Sequence, residues 1–101
     1  MQSRTAVVPL LALLATACSQ TNEYVPRPEA SAADMFREAC FECHQPQENG
    51  RYFDLDADMA SVDAIAEKIK QGSLAMPAFP RIEGESLKRL SEYVLANSKT
   101  E

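Results

Sequence analysis

An all-α domain with long loops is what this sequence predicts, on three observations. Three stretches carry apolar residues at helical spacing, no stretch alternates apolar and polar residues as a half-buried strand does, and the segments between are rich in turn formers. A chain of 101 residues has room for one such domain. A core of that size is modest and is often reinforced by a disulfide, a metal or a cofactor. Ten Lys and Arg stand against 15 Asp and Glu, a net charge of −5. With no basic block anywhere, a nucleic-acid partner is not expected, because phosphate binding is driven by clustered cations.

Residues 1–17, MQSRTAVVPLLALLATA, hold one positive residue, Arg4, followed by an uncharged run from Ala6 to Ala17. That run falls short of the roughly 20 apolar residues of a membrane-spanning helix. Charge, short apolar run and small residues before a break describe an export signal that is removed. Ala15-Thr16-Ala17 fits ordinary cleavage after Ala17. The overlapping LLATAC resembles a bacterial lipoprotein box, in which Cys18 becomes the lipidated first residue; it departs from that pattern in having Ala15 where Leu is usual, with Leu14 one place earlier. Ordinary cleavage would strand Cys18 as a lone thiol in an oxidising compartment, so lipid attachment at Cys18 is the expectation. The expected location is the periplasmic side of a bacterial membrane, lipid-anchored; the alternative is a soluble periplasmic protein. After Cys18 the chain is polar, and Pro26 and Pro28 oppose helix. Residues 18–30 are therefore expected to be a lipidated Cys and flexible tether, and 31–101 the folded domain.

Ser31 with Asp34 three residues on makes a capping-box start, and the first helix is predicted to run to about Glu42. Phe36, Cys40 and Cys43 fall on one face of it. Ser61 is the N-cap and Gly72 the stop of a second helix, whose Val62, Ile65, Ala66 and Ile69 keep the same spacing. The third is predicted from about Glu85 to Asn97, with Leu87, Leu90 and Val94 as its stripe and Tyr93 beside them. Glu85 near its start and Lys99 beyond its end suit the helix dipole.

CFECH, residues 40–44, contains two of the three cysteines and the only histidine. C-x-x-C-H is the attachment signature of c-type haem. Two thiols must reach the two vinyl groups on one porphyrin edge, and a short, nearly helical spacing sets the sulfurs apart suitably. The next residue then directs its imidazole to the iron. Cys40 and Cys43 are thus expected to attach one haem c covalently, with His44 as an axial iron ligand. A thioredoxin-like pair would need a βαβ setting. A structural zinc site needs about four ligands, and a plain Cys40–Cys43 disulfide leaves the histidine unexplained. No second histidine exists for the other axial position. Of the methionines left after export, Met35 shares the anchor helix, Met59 borders the second helix, and Met76 lies in a loop stiffened by Pro77 and Pro80.

CFECH, then AMPAFP, then ESLKRLSEYVL in a terminal helix is similar to a small class I cytochrome c over most of Ser31 to Asn97. The resemblance implies the small cytochrome c fold, about three helices and long loops around one covalently attached haem. It implies Met76, in its Met-Pro-x-Phe segment, as the distal iron ligand. It also implies a crossing of the first and last helices through Phe36, Leu90, Tyr93 and Val94. The sequence departs from the family at Gln45, where glycine is common, and lacks the proline whose carbonyl often holds the histidine. The stretch between His44 and Met76 is short. An iron closed on both sides by His and Met suits one-electron transfer. The implied function is an exported electron carrier between a redox donor and acceptor, such as a dehydrogenase or terminal oxidase, and not an enzyme. The alternatives are a five-coordinate haem protein that binds a small gas or peroxide, and a fixed haem subunit of a dehydrogenase or oxidase complex. Arg51 and Arg81 are either partners for a haem propionate or ordinary surface residues.

Overall fold

The computed structural model describes residues 20–100; the expected export signal and Cys18 lie outside them. Three helices follow in order: α1 (Ala32–Ala39), α2 (Val62–Gln71) and α3 (Gly84–Ala96). The capping box of α1 forms as its sequence directs: Asp34 N–H donates to Ser31 Oγ at 3.0 Å, and Ser31 N–H donates to Asp34 Oδ2 at 3.3 Å. Ser61 Oγ likewise accepts from Ala64 N–H at 3.1 Å to start α2. The first helix is shorter than predicted. It ends at Ala39, and Cys40–Cys43 continue as turns.

Two segments depart from a purely helical plan. β1 (Asp54–Leu55) and β2 (Lys99–Thr100) pair in parallel, Asp54 opposite Lys99 and Leu55 opposite Thr100. Two residues each are too few to leave an alternating pattern in the sequence. The pairing is extended by Tyr52 N–H to Asn97 O at 2.9 Å and Lys99 N–H to Phe53 O at 2.7 Å, so the loop after the cysteines is tied to the end of α3. Arg51 completes the join. Its guanidinium donates to Ala96 O at 3.2 Å and Ser98 O at 3.4 Å, capping a helix whose own last turn has no basic residue.

The core lies where α1 and α2 meet α3. Phe36 is 2% exposed and Leu90 is 0% exposed. The Phe36 ring lies 5.8 Å from Tyr93 and 4.3 Å from Tyr52, centroid to centroid. Burying one such ring stabilises the fold by about 2–3 kcal/mol. The expected α1–α3 contact through Phe36, Leu90, Tyr93 and Val94 is therefore present, with Tyr52 added from the loop.

Residues 20–30, within the stretch 18–30 expected as a tether, lie against the folded body. Thr21 bridges Ala78 in parallel. Tyr24 Oη donates to Glu38 Oε1 at 2.6 Å, and Arg27 Nη2 donates to Glu38 Oε2 at 2.7 Å. Arg89 reaches Ala30 O at 3.2 Å. The prolines exclude helix, as anticipated, yet an extended strand can still pair with a neighbour, and this one does.

Gly72 ends α2 with φ +69° and ψ −164°, a conformation open almost only to glycine. A Cβ there would stand 2.6 Å from Met76 O and 2.7 Å from Ala78 N. Gly72 thus stops the helix and admits the following loop against it. Gly72→Ala should destabilise the domain by about 1–3 kcal/mol in urea titrations. An unchanged midpoint would show that the close approach is unimportant. Glu38 has its carboxyl held below the usual range by the hydrogen bonds from Tyr24 and Arg27. A lowered folded pKa contributes stability above the unfolded value of 4.5, lost as pH falls through the folded one. Glu38→Gln should therefore lower stability at pH 7, with the deficit shrinking below pH 4.5; a pH-independent deficit would contradict this.

Candidate functional site

The turn that follows α1 carries the site's thiols and its imidazole. Cys40 N–H donates to Phe36 O at 2.8 Å and continues the helical pattern for one more residue. His44 N–H then donates to Cys40 O at 3.0 Å, and Cys43 N–H to the same oxygen at 3.2 Å. This closed turn sets Cys40, Cys43 and His44 along one wall of a cavity of about 670 Å³. That volume lies within the usual range for a cofactor pocket, roughly 300–1,000 Å³.

The other walls come from distant parts of the chain. Ile65 and Ile69 of α2 and Leu55 of β1 are buried and line it. Phe53 stands beside His44, ring centroids 4.7 Å apart. Met76 and Phe79 enter from the loop after α2. The four residues expected at the site, Cys40, Cys43, His44 and Met76, therefore face one cavity. Met59 lines it too, whereas Met35 is 0% exposed within the core and stands outside it.

The thiols are unpaired with each other. Burial, with a smaller push from Cys43, raises the Cys40 thiol to about 11. Burial also lowers the His44 imidazole below its ordinary value. Among the described residues no three His, Cys, Asp or Glu side chains converge where they could hold a metal ion. The zinc reading of the motif finds no support in this donor set. A largely apolar group that two thiols can anchor fits better: two thiols, an imidazole and two thioethers line the cavity together with aliphatic side chains. Covalent haem meets each of those conditions. Cys40 and Cys43 would hold its edge, and His44 with Met76 or Met59 would face its iron.

Several contributors escaped the sequence reading. Gln20 and Asn22 line the cavity although they lie in the stretch read as a tether. Phe53 and Tyr52 sit in a loop judged on its polar composition; an aromatic pair amid polar residues was the available signal. Arg51 and Arg81 are engaged elsewhere, Arg51 at the end of α3 and Arg81 with Glu23 at 3.2 Å.

Comparison with known proteins places the chain in a family. The family model described as cytochrome C oxidase, cbb3-type, subunit III matches residues 27–94. A cytochrome c6 from Rippkaea orientalis is 32% identical over 81 residues, covering 71% of this chain and 73% of that protein. A cytochrome c6 from Cyanidioschyzon merolae is 31% identical over 78 residues, covering 69% and 75% respectively. No solved structure matches significantly. The chain therefore belongs to the c-type cytochrome family, and with that membership come one covalently attached haem c and the role of an electron carrier rather than an enzyme.

Proposed function

We propose that this protein is an exported cytochrome that passes single electrons through an iron held by His44 and Met76, with Cys40 and Cys43 as the thioether attachment points. The observation that carries the reading is that all four side chains line one apolar cavity, although Met76 comes from a different part of the chain. Met76 is preferred to Met59 because it stands in the Met-Pro-x-Phe segment that resembles the family's distal-ligand loop, and that loop is held by backbone bonds, Ser73 N–H to Met76 O and Phe79 N–H to Ile69 O, each 2.8 Å. Haem c supplies a one-electron couple. The chain's part would be to hold the iron with His44 and Met76, leaving no place for a substrate, and to keep water out with Leu55, Ile65, Ile69 and Phe79. Thioether ligation and an apolar wall both favour the reduced form and raise the potential.

The reading includes an export signal at 1–17, lipid on Cys18, and a domain from 31 to 101 on the periplasmic side of the membrane. No helix among the described residues is long and apolar enough to cross a membrane; in this reading the lipid on Cys18 is the attachment. Gln20, two residues beyond Cys18, is bonded to Ala78. Two residues of extended chain span at most about 7 Å. A lipid on Cys18 would accordingly hold the Met76 side of the domain near the bilayer, and favours donors and acceptors that are themselves membrane proteins, such as a dehydrogenase or terminal oxidase. A second reading, a fixed haem subunit of an oxidase, draws on the printed name of the matching family. Co-purification with oxidase subunits after mild detergent extraction would favour it over a free carrier.

The mature chain should weigh one haem and one lipid more than residues 18–101 alone; an unmodified Cys18 removes the anchor, and absence of haem mass removes the whole reading. In Met76→Ala the weak red ferric band of sulfur-ligated iron should vanish. Its potential should fall by on the order of 100 mV, within the roughly 0.8 V that axial ligands command. Reduced Met76→Ala should bind carbon monoxide rapidly. A persisting band would point instead to Met59, and rapid binding by the unmutated protein would favour a five-coordinate gas or peroxide site.

A further inference from the structure

The segment before α1 joins the two walls of the cavity. At one end it pairs with the loop of Met76: Ala78 N–H donates to Gln20 O at 2.9 Å, and Asn22 N–H donates to Ala78 O at 2.8 Å. Glu23 and Arg81 add an ion pair beside this bridge, at 3.2 Å. At the other end Tyr24 and Arg27 both grip Glu38, two residues before Cys40. Gln20 and Asn22 also line the cavity, so the segment borders the space next to Met76.

Besides this bridge the loop has its own turn bond, Ser73 N–H to Met76 O at 2.8 Å, and a bond from Lys70 Nζ to Pro80 O at 3.3 Å. Ser73 and Ala75 are exposed, and Leu74 is 85% exposed. Phe79 alone in this stretch is buried. From the α2 side, the loop is fixed by the bond from Phe79 N–H to Ile69 O and by the closeness that Gly72 permits. From the outer side, among the described residues, the bridge to residues 20–22 is what restrains Ala78, two residues after Met76. A neutral thioether is a weak ligand, and its share of time on the iron depends on how closely its backbone is confined.

We propose that residues 20–24 are a positioning strap for the distal ligand: the Asn22 and Ala78 amides hold the Met76 loop closed over the cavity, so the chain ahead of the domain sets the strength of the axial bond. This rests on Met76 being the distal ligand. The strap also ties that loop to α1 through Tyr24, and so relates the distal side to the helix that delivers Cys40 and His44.

The test compares purified holoprotein carrying Asn22→Pro, which removes the amide donor to Ala78, with Val25→Pro. Val25 is 60% exposed, and its amide makes no hydrogen bond to the described residues. Asn22→Pro should weaken the red ferric band, lower the potential and speed carbon monoxide binding to the reduced form by about tenfold or more, the scale of the two hydrogen bonds it removes, Asn22 N–H to Ala78 O and Tyr24 N–H to Asn22 Oδ1. Val25→Pro should leave all three unchanged. A folded Asn22→Pro protein with an unaltered band, potential and binding rate would overturn the strap. Should Asn22→Pro yield no folded holoprotein, hydrogen exchange of the unmutated protein decides: a protected Ala78 amide supports the strap and a freely exchanging one refutes it. If the band is missing from the unmutated protein, or survives in Met76→Ala, the ligand assignment fails instead. A band lost in Met76→Ala but kept in Asn22→Pro defeats the strap alone.

Discussion

Phe36 is buried between α1, α3 and the Tyr52–Phe53 pair, and the same helix four residues later delivers Cys40 to the cavity rim. That single packing arrangement fixes the direction in which the cysteine turn leaves the helix. Because Cys40, Cys43 and His44 are joined by bonds to one carbonyl, any tilt of α1 moves all three together. Core and site are therefore one mechanical unit here. A side chain that holds two helices together also aims the thiols, which is economical in a chain with few buried residues.

The core itself is small. The buried apolar side chains among the described residues come from short helices and from single positions outside them, such as Leu55 of β1, Phe79 and Ile82. Several of the same residues face the cavity: Phe36, Leu55, Ile65, Ile69, Phe79 and Val94. A covalently attached porphyrin would complete their packing, which explains how so short a chain sustains a unique fold. Haem is in this sense part of the core, and its attachment belongs to stability as much as to function.

The two sides of the cavity are built by different means. On the His44 side, contiguous residues and a helical turn do the placing. On the Met76 side the placing is done by backbone: Gly72 allows the approach, Ile69 O accepts from Phe79 N–H, and the 20–22 segment closes the loop from outside. Few of those contacts involve a distinctive side chain.

What the sequence determined by itself is whatever depends on near neighbours. Ser31 with Asp34, Ser61 and Gly72 act within one helical turn, and the three apolar stripes repeat along single helices; all were legible, with the end of α1 misjudged by a turn. The C-x-x-C-H run was legible for the same reason, its parts being adjacent. Only the tertiary structure decided that Met59 as well as Met76 reaches the cavity, that Arg51 caps α3, that β1 meets β2, and that the stretch read as a tether pairs with Ala78. Each of these joins residues far apart through one or two bonds. Contacts of that kind impose no periodicity on the residues that make them; they arise once packing has brought the segments side by side.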